Sequence, residues 1–117
     1  MAYNDFLADR MRQILQEKYV SFAEKEMMGG LTFMVDDKMC VGIIKDSLMA
    51  RINPEVYEES LTRNACREMD FTKRPMKGFV LVDPPGTDLD EDLEYWINLA
   101  LEYNPIARSS KKRNPGR

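Results

Sequence analysis

Between Leu31 and Ile52 the apolar residues recur every second position in three consecutive runs, and this pattern restricts the fold more than any other feature of the chain. Leu31, Phe33 and Val35 alternate with Thr32 and Met34 and stop at Asp36-Asp37. Met39, Val41 and Ile43 alternate with Cys40, Gly42 and Ile44 and stop at Lys45-Asp46; Leu48, Ala50 and Ile52 alternate with Met49 and Arg51. A period of two places each set on one face of a sheet. Short acidic turns between such runs join them as antiparallel hairpins. A strand over about Val20 to Met27 enters this meander through Gly29-Gly30. That pair is read as a geometric corner, supplying positive φ or a bulge, and not as a phosphate loop. No glycine-rich nucleotide pattern surrounds it, and no helix follows to offer its amides.

The flanks switch to the helical period. Tyr3, Phe6, Leu7, Met11, Ile14 and Leu15 predict a first helix with one apolar stripe, Asn4 as its N-cap and an end near Lys18. Asn53-Pro54-Glu55 predicts a short helix to about Thr62, with Tyr57 and Leu61 facing inward. An irregular stretch follows through Lys77, and Gly78 to Val82 reads as the last strand, closed by Pro84-Pro85-Gly86. Leu89, Leu93, Trp96, Ile97, Ala100 and Leu101 predict a final helix capped by Thr87 or Asp88 and ended by Asn104-Pro105. Trp96 reads as a core anchor.

The expected fold is therefore α+β: one domain, with an antiparallel sheet of four to five strands flanked by N- and C-terminal helices. At 117 residues one domain suffices. Residues 1–104 form it, and 105–117 form a basic tail that lacks apolar anchors and is expected to be disordered. Within the last ten residues, Arg108, Lys111, Lys112, Arg113 and Arg117 carry five of the 17 basic groups and none of the 20 acids. The body keeps twelve basic groups against 20 acidic, a net of −8. Such a body repels a phosphate backbone, while the tail attracts one weakly or simply solubilises the terminus.

Several classes of function are excluded outright. The chain has no histidine, so it holds no Ser-His-Asp triad, Cys-His nucleophile or histidine metal site. Cys40 and Cys66 match no metal or redox spacing. Cys40 reads as a small buried hydrophobe; the arginines flanking Cys66 are able to lower its thiol pKa, but a catalytic or redox role for it is disfavoured. No apolar run spans a bilayer, and the acid at Asp5 is unlike a signal peptide, so the expectation is a reducing cytoplasm.

The segment richest in chemistry is Met69-Asp70-Phe71-Thr72-Lys73-Arg74-Pro75-Met76-Lys77-Gly78. Lys73, Arg74 and Lys77 can clamp an anion or an acidic partner, with Asp70 beside them and Phe71 and Met76 docking on apolar surface. The alternative is a loop whose Phe71 and Met76 plug the sheet while the cations stay solvated.

Two stretches resemble a known family. Met27-Met28-Gly29-Gly30-Leu31-Thr32-Phe33-Met34-Val35 with Met39-Cys40-Val41-Gly42 is similar to the opening signature of the TfoX/Sxy N-terminal domain, and Met69 to Val80 is similar to its second signature. Met28 stands where the family usually has an aromatic residue. The likeness covers roughly residues 3 to 103. It implies a compact α+β domain in a bacterial, cytoplasmic protein. Full-length members regulate competence genes positively and are thought to act with the cyclic-AMP receptor protein at promoters. They carry a second, helical domain, whereas stand-alone copies are common; some bear an RNA-methyltransferase label that no nucleotide loop here supports.

Three functions compete at this stage. The first is a non-enzymatic, regulatory module that binds a protein partner through Asp70, Phe71, Lys73, Arg74, Met76 and Lys77 and the neighbouring sheet surface. The second is weak nucleic-acid binding by the tail with Lys73, Arg74 and Lys77, for which no stacking platform of aromatic and basic residues is evident. The third is an enzyme that does acid–base work with Asp70, Asp83 or a shifted lysine or tyrosine, beside Cys66 and Lys77. Glu24 with Glu26 and Asp36-Asp37 read more simply as a solvated strand face and a turn. The first is favoured, with no cofactor, no metal and no membrane, and with a homodimer through an exposed sheet edge allowed.

Overall fold

The computed structural model describes residues 3–27, 29–69 and 78–107. Asn4 starts the first helix, α1 (Asp5–Glu17), and its side-chain oxygen accepts from the Leu7 N–H at 3.0 Å. Leu7, Ala8, Met11 and Leu15 form the buried stripe. Phe6, expected in that stripe, is 73% exposed, and Tyr3 bridges to Lys45 instead of joining the helix. The helical period tolerates Phe6 at the stripe's edge, but the sheet below is reached only by the narrower Leu7–Met11–Leu15 line.

The meander follows as β1 (Ala23–Met27), β2 (Gly30–Val35), β3 (Lys38–Ile44) and β4 (Ser47–Arg51). Asp36 and Asp37 both adopt φ near +60°, the left-handed pair that a two-residue hairpin with the native strand twist requires. Aspartate tolerates that region because its short side chain bonds locally. A 3₁₀ turn (Pro54–Val56), capped by Asn53, runs into α2 (Tyr57–Ser60). Then come β5 (Cys66–Glu68), β6 (Phe79–Val82), a second 3₁₀ turn (Pro84–Gly86) and α3 (Asp90–Tyr103).

Among the described residues, six strands join one antiparallel sheet in the order β1-β2-β3-β4-β6-β5. The sixth strand is β5, which sequence reading had placed in an irregular stretch. With three residues, only Cys66 apolar among them, it carries no period of its own and is held by pairing with β6. The first strand begins at Ala23, later than Val20, because α1 and its closing turn use the intervening residues.

The three helices share one face of the sheet. Leu7, Met11 and Leu15 of α1, Tyr57 of α2 and Leu93, Trp96, Ile97 and Ala100 of α3 pack with Leu31, Phe33, Val41, Ile43, Leu48, Ala50, Val80 and Val82. Each fully buried aliphatic or aromatic side chain contributes about 1.5–3 kcal/mol, so this layer dominates folding. Trp96, 2% exposed, is the anchor the sequence indicated. Leu89, placed in the same stripe, is 62% exposed and serves instead as the N-cap residue of α3. Neither Thr87 nor Asp88 caps the helix; the Thr87 hydroxyl donates to the Pro84 carbonyl.

Side-chain bonds set the helices on the sheet. Arg12 donates to both carboxylate oxygens of Glu24, tying α1 to β1. Arg10 pairs with Asp90 and Lys18 with Glu94, linking α1 to α3. Asn104 donates to the Val35 carbonyl and itself accepts from the Lys38 ammonium, which fixes the end of α3 against the β2–β3 hairpin. The chain stays packed through Ala107, whose N–H bonds back to Tyr103 and Asn104.

Two glycines show different constraints at one corner. Gly29 has φ +75° with nothing near its missing Cβ, whereas a Cβ on Gly30 would lie 2.0 Å from the Ile43 carbonyl oxygen. Backbone cannot yield as a side-chain end can. Gly30→Ala is therefore expected to cost about 2–3 kcal/mol, and Gly29→Ala about 1 kcal/mol from backbone strain alone. Urea unfolding of both variants checks the order; equal losses would contradict it.

Candidate protein-docking face

On the side away from the helices the sheet carries a second apolar cluster. Met49, Met69 and Leu81 are buried there, with Met39, Ile44 and Phe79 half-buried around them. Antiparallel sheets commonly turn polar side chains outward on a face that no helix covers. Here the register instead lines up Lys25, Thr32, Gly42, Met49, Leu81 and Arg67 across all six strands. The apolar middle of this row ends in a cation at each edge strand. Parallel to it, Arg51 faces Phe79, its guanidinium carbon 5.5 Å from the ring centroid.

Gly42 is what lets this row lie flat. A Cβ there would meet the Leu31 carbonyl oxygen at 2.7 Å and the Met49 methyl at 3.0 Å, so the Met49 side chain extends over the bare backbone of β3. A bulge shapes the neighbouring position. The register passes from Phe33↔Val41 to Met34↔Met39, which leaves Cys40 as the extra residue. Met39 is thereby turned away from Val41 and Ile43, with which its alternation had grouped it, and joins the outer cluster.

At one margin of this face Asp83 gathers two strands. It accepts from the Ser47 hydroxyl at 2.6 Å and from Arg67 Nε at 3.0 Å, so β4 and β5 are tied across the end of β6. The Arg67 and Ser47 hydrogen bonds hold its carboxyl below the ordinary carboxylate range. Asp83 was one of the carboxylates considered for acid–base work, and its oxygens are instead occupied in this bridge.

Cys66 reverses an expectation. Burial against the helix-side layer pushes its thiol up to about 11, outweighing the lowering by Arg63, while Asp83 adds to the rise. Cys40 is pushed up to about 12 by burial. The nearby Tyr57 hydroxyl is buried with no hydrogen-bond partner among the described residues, a loss on the order of 1–3 kcal/mol. Burial raises its pKa first, with Glu68, Cys66 and Glu58 adding to the shift.

The residues singled out from sequence for partner binding, Asp70, Phe71, Lys73, Arg74, Met76 and Lys77, lie outside the described residues. So do the tail cations Arg108, Lys111, Lys112, Arg113 and Arg117. Met69 and Phe79, which flank the stretch 70–77 in sequence, both belong to the outer cluster. Sequence reading missed Lys25, Arg51 and Arg67 as members of one surface. The available signal was the apolar character of the off-face positions Met34, Met49 and Leu81, which a half-solvated strand does not need.

Among the described residues no three His, Cys, Asp or Glu side chains are placed to hold a metal, and no helix is long and apolar enough to cross a membrane. The chain is thus an α+β domain with helices on one sheet face and a cation-edged apolar cluster on the other. The TfoX N-terminal domain family matches residues 13–103, and the chain belongs to it. No curated protein and no solved structure matches it.

The Asp83 bridge gives a pH dependence with a defined sign. Its folded pKa lies below the ordinary 3.8, so its contribution is complete above that value and is lost as pH falls through the lowered one. Because Arg67 and Asp83 are both partly exposed, the loss in Asp83→Asn at pH 7 should be only about 1 kcal/mol. Urea midpoints of wild type and variant should converge as pH falls from 3.8 through the lowered pKa; a gap that does not narrow on acidification would refute the assignment.

Proposed function

We propose that the domain is a non-catalytic, regulatory docking module that holds an acidic protein partner on the outer face of its sheet. The observation that carries this reading is the row from Lys25 to Arg67, apolar at its centre and cationic at both edges, within a body whose net charge is negative. An interface with an apolar core and a charged rim takes most of its affinity from the core and its selectivity from the rim. Methionines suit such a surface because their flexible, polarisable side chains adapt to a partner's shape. Lys73, Arg74 and Lys77, in the segment joining Met69 to Gly78, add cations of the same sign to this reading from sequence alone.

Other observations favour docking over turnover. The thiols at Cys40 and Cys66 are both raised, the opposite of an activated nucleophile. Membership of the TfoX N-terminal domain family supports placing the partner among proteins that control transcription, with competence genes as the family precedent, in a cytoplasmic setting where free thiols persist. Nucleic acid is the weaker reading, because the body is acidic and, among the described residues, the outer cluster offers Phe79 as its one stacking ring.

The test is affinity purification from the native host with wild type, a Met39→Lys/Ile44→Lys variant and a Lys73→Ala/Arg74→Ala/Lys77→Ala variant. Recovery of specific partners should fall about tenfold or more for the first variant, the scale of losing an interface hot spot. Far-UV circular dichroism should stay unchanged, since both residues are half-buried at the rim. Identical partner lists for all three proteins would overturn the proposal.

A further inference from the structure

The opposite side of the molecule holds a groove that the docking face does not explain. It runs between α3 and the segment from Asn53 to Arg63. Two concavities of about 160 and 200 Å³ share Val56 and Leu99 as a common floor. Tyr95, Leu99 and Tyr103 recur at every fourth residue of α3, so they form a stripe beside the buried one. Tyr95 is 37% exposed, and Ile106, 69% exposed, lies just beyond the stripe's end. From Tyr95 to Tyr103 the helix rises about 12 Å, the length of two turns.

Carboxylates line the groove from both of its helices. Glu59 lines it from α2 and Glu102 from α3. The one cation among its described lining residues, Arg63, stacks on Tyr95 with its guanidinium carbon 4.0 Å from the ring centroid, and lies 5.8 Å from that of Trp96. That stack fixes the chain after α2 against α3 and closes one end of the groove. Glu55 and Glu58 add exposed acids on the same short segment. An apolar floor two helical turns long, walled by carboxylates, is complementary to one kind of ligand.

We infer that this groove docks a cationic amphipathic helix of a partner protein, with apolar anchors on Val56, Tyr95 and Leu99 and basic side chains against Glu59 and Glu102. The groove lies on the helix side of the sheet, so the inference stands or falls separately from the outer face. The domain would then present an acidic site on one side and a cation-edged site on the other.

The probe is a synthetic helix of about four turns with leucines at i, i+4, i+7 and i+11 and lysines elsewhere, titrated into the isotope-labelled full chain. Amide shifts should concentrate in residues 53–63 and 95–103. Glu59→Lys/Glu102→Lys should weaken binding about tenfold, consistent with losing two rim charge pairs. Leu99→Ala should weaken it as well, whereas Met39→Lys/Ile44→Lys should leave it unchanged. The inference fails if the shifts fall on the outer face, if none occur, or if a glutamate version of the peptide binds equally. It also fails if deleting residues 108–117 tightens the peptide about tenfold, which would make the chain's own tail the occupant. Concentration-dependent self-association abolished by Leu99→Ala would assign the groove to a second copy and overturn it likewise.

Discussion

The registry of β4 between β3 and β6 is the constraint on which the rest depends. Leu48 lies between Ile43 and Val82, and Ala50 between Val41 and Val80, so two apolar rows face the helices at the centre of the sheet. Ala50 and Leu48 share one buried cluster with Phe33 of the sheet and with Met11 and Trp96 of the helices. A slip by one residue would carry every one of these side chains to the other face. The same registry brings Met49 beside Gly42 and Leu81, so the core and the outer cluster are set together.

From that registry follows a separation of charge. The helix-side positions of β1 are Glu24 and Glu26, of which Glu24 is held by Arg12, while the outer position is Lys25. The alternation also guards the open edge. In any two-fold antiparallel pairing of β1 with itself, a residue meets a side chain of the same face. When such a pairing is centred on Glu24, Lys25 or Glu26, glutamate opposes glutamate or lysine opposes lysine, and these arrangements are repulsive. The β1 edge thus carries charges that oppose self-pairing in these registers.

Much of the architecture was legible because periodicity reports burial directly. The runs Leu31-Phe33-Val35 and Leu48-Ala50-Ile52, the Asn4 and Asn53 caps and the anchor role of Trp96 all have local causes. What stayed hidden had non-local ones. The three-residue strand β5 exists because β6 offers it a partner. The Met39 reversal arises from a bulge against β2, and the raised Cys66 thiol from the helix layer that buries it. Flanking arginines made that cysteine look activated, since neighbours in sequence are visible and desolvation is not.

For the site the division is sharper. The family signatures, the missing histidine and the basic stretch at Lys73, Arg74 and Lys77 can be read residue by residue. Lys25, Arg51 and Arg67 follow one another at separations of 26 and 16 positions along the chain, and nothing local joins them. Pairing β1 with β2 and β5 with β6 places Lys25 and Arg67 at the two ends of one row, and pairing β4 with β6 sets Arg51 over Phe79. Side-chain type and local period are properties of the chain alone, whereas a surface is made by which strands become neighbours, and that choice belongs to the folded sheet.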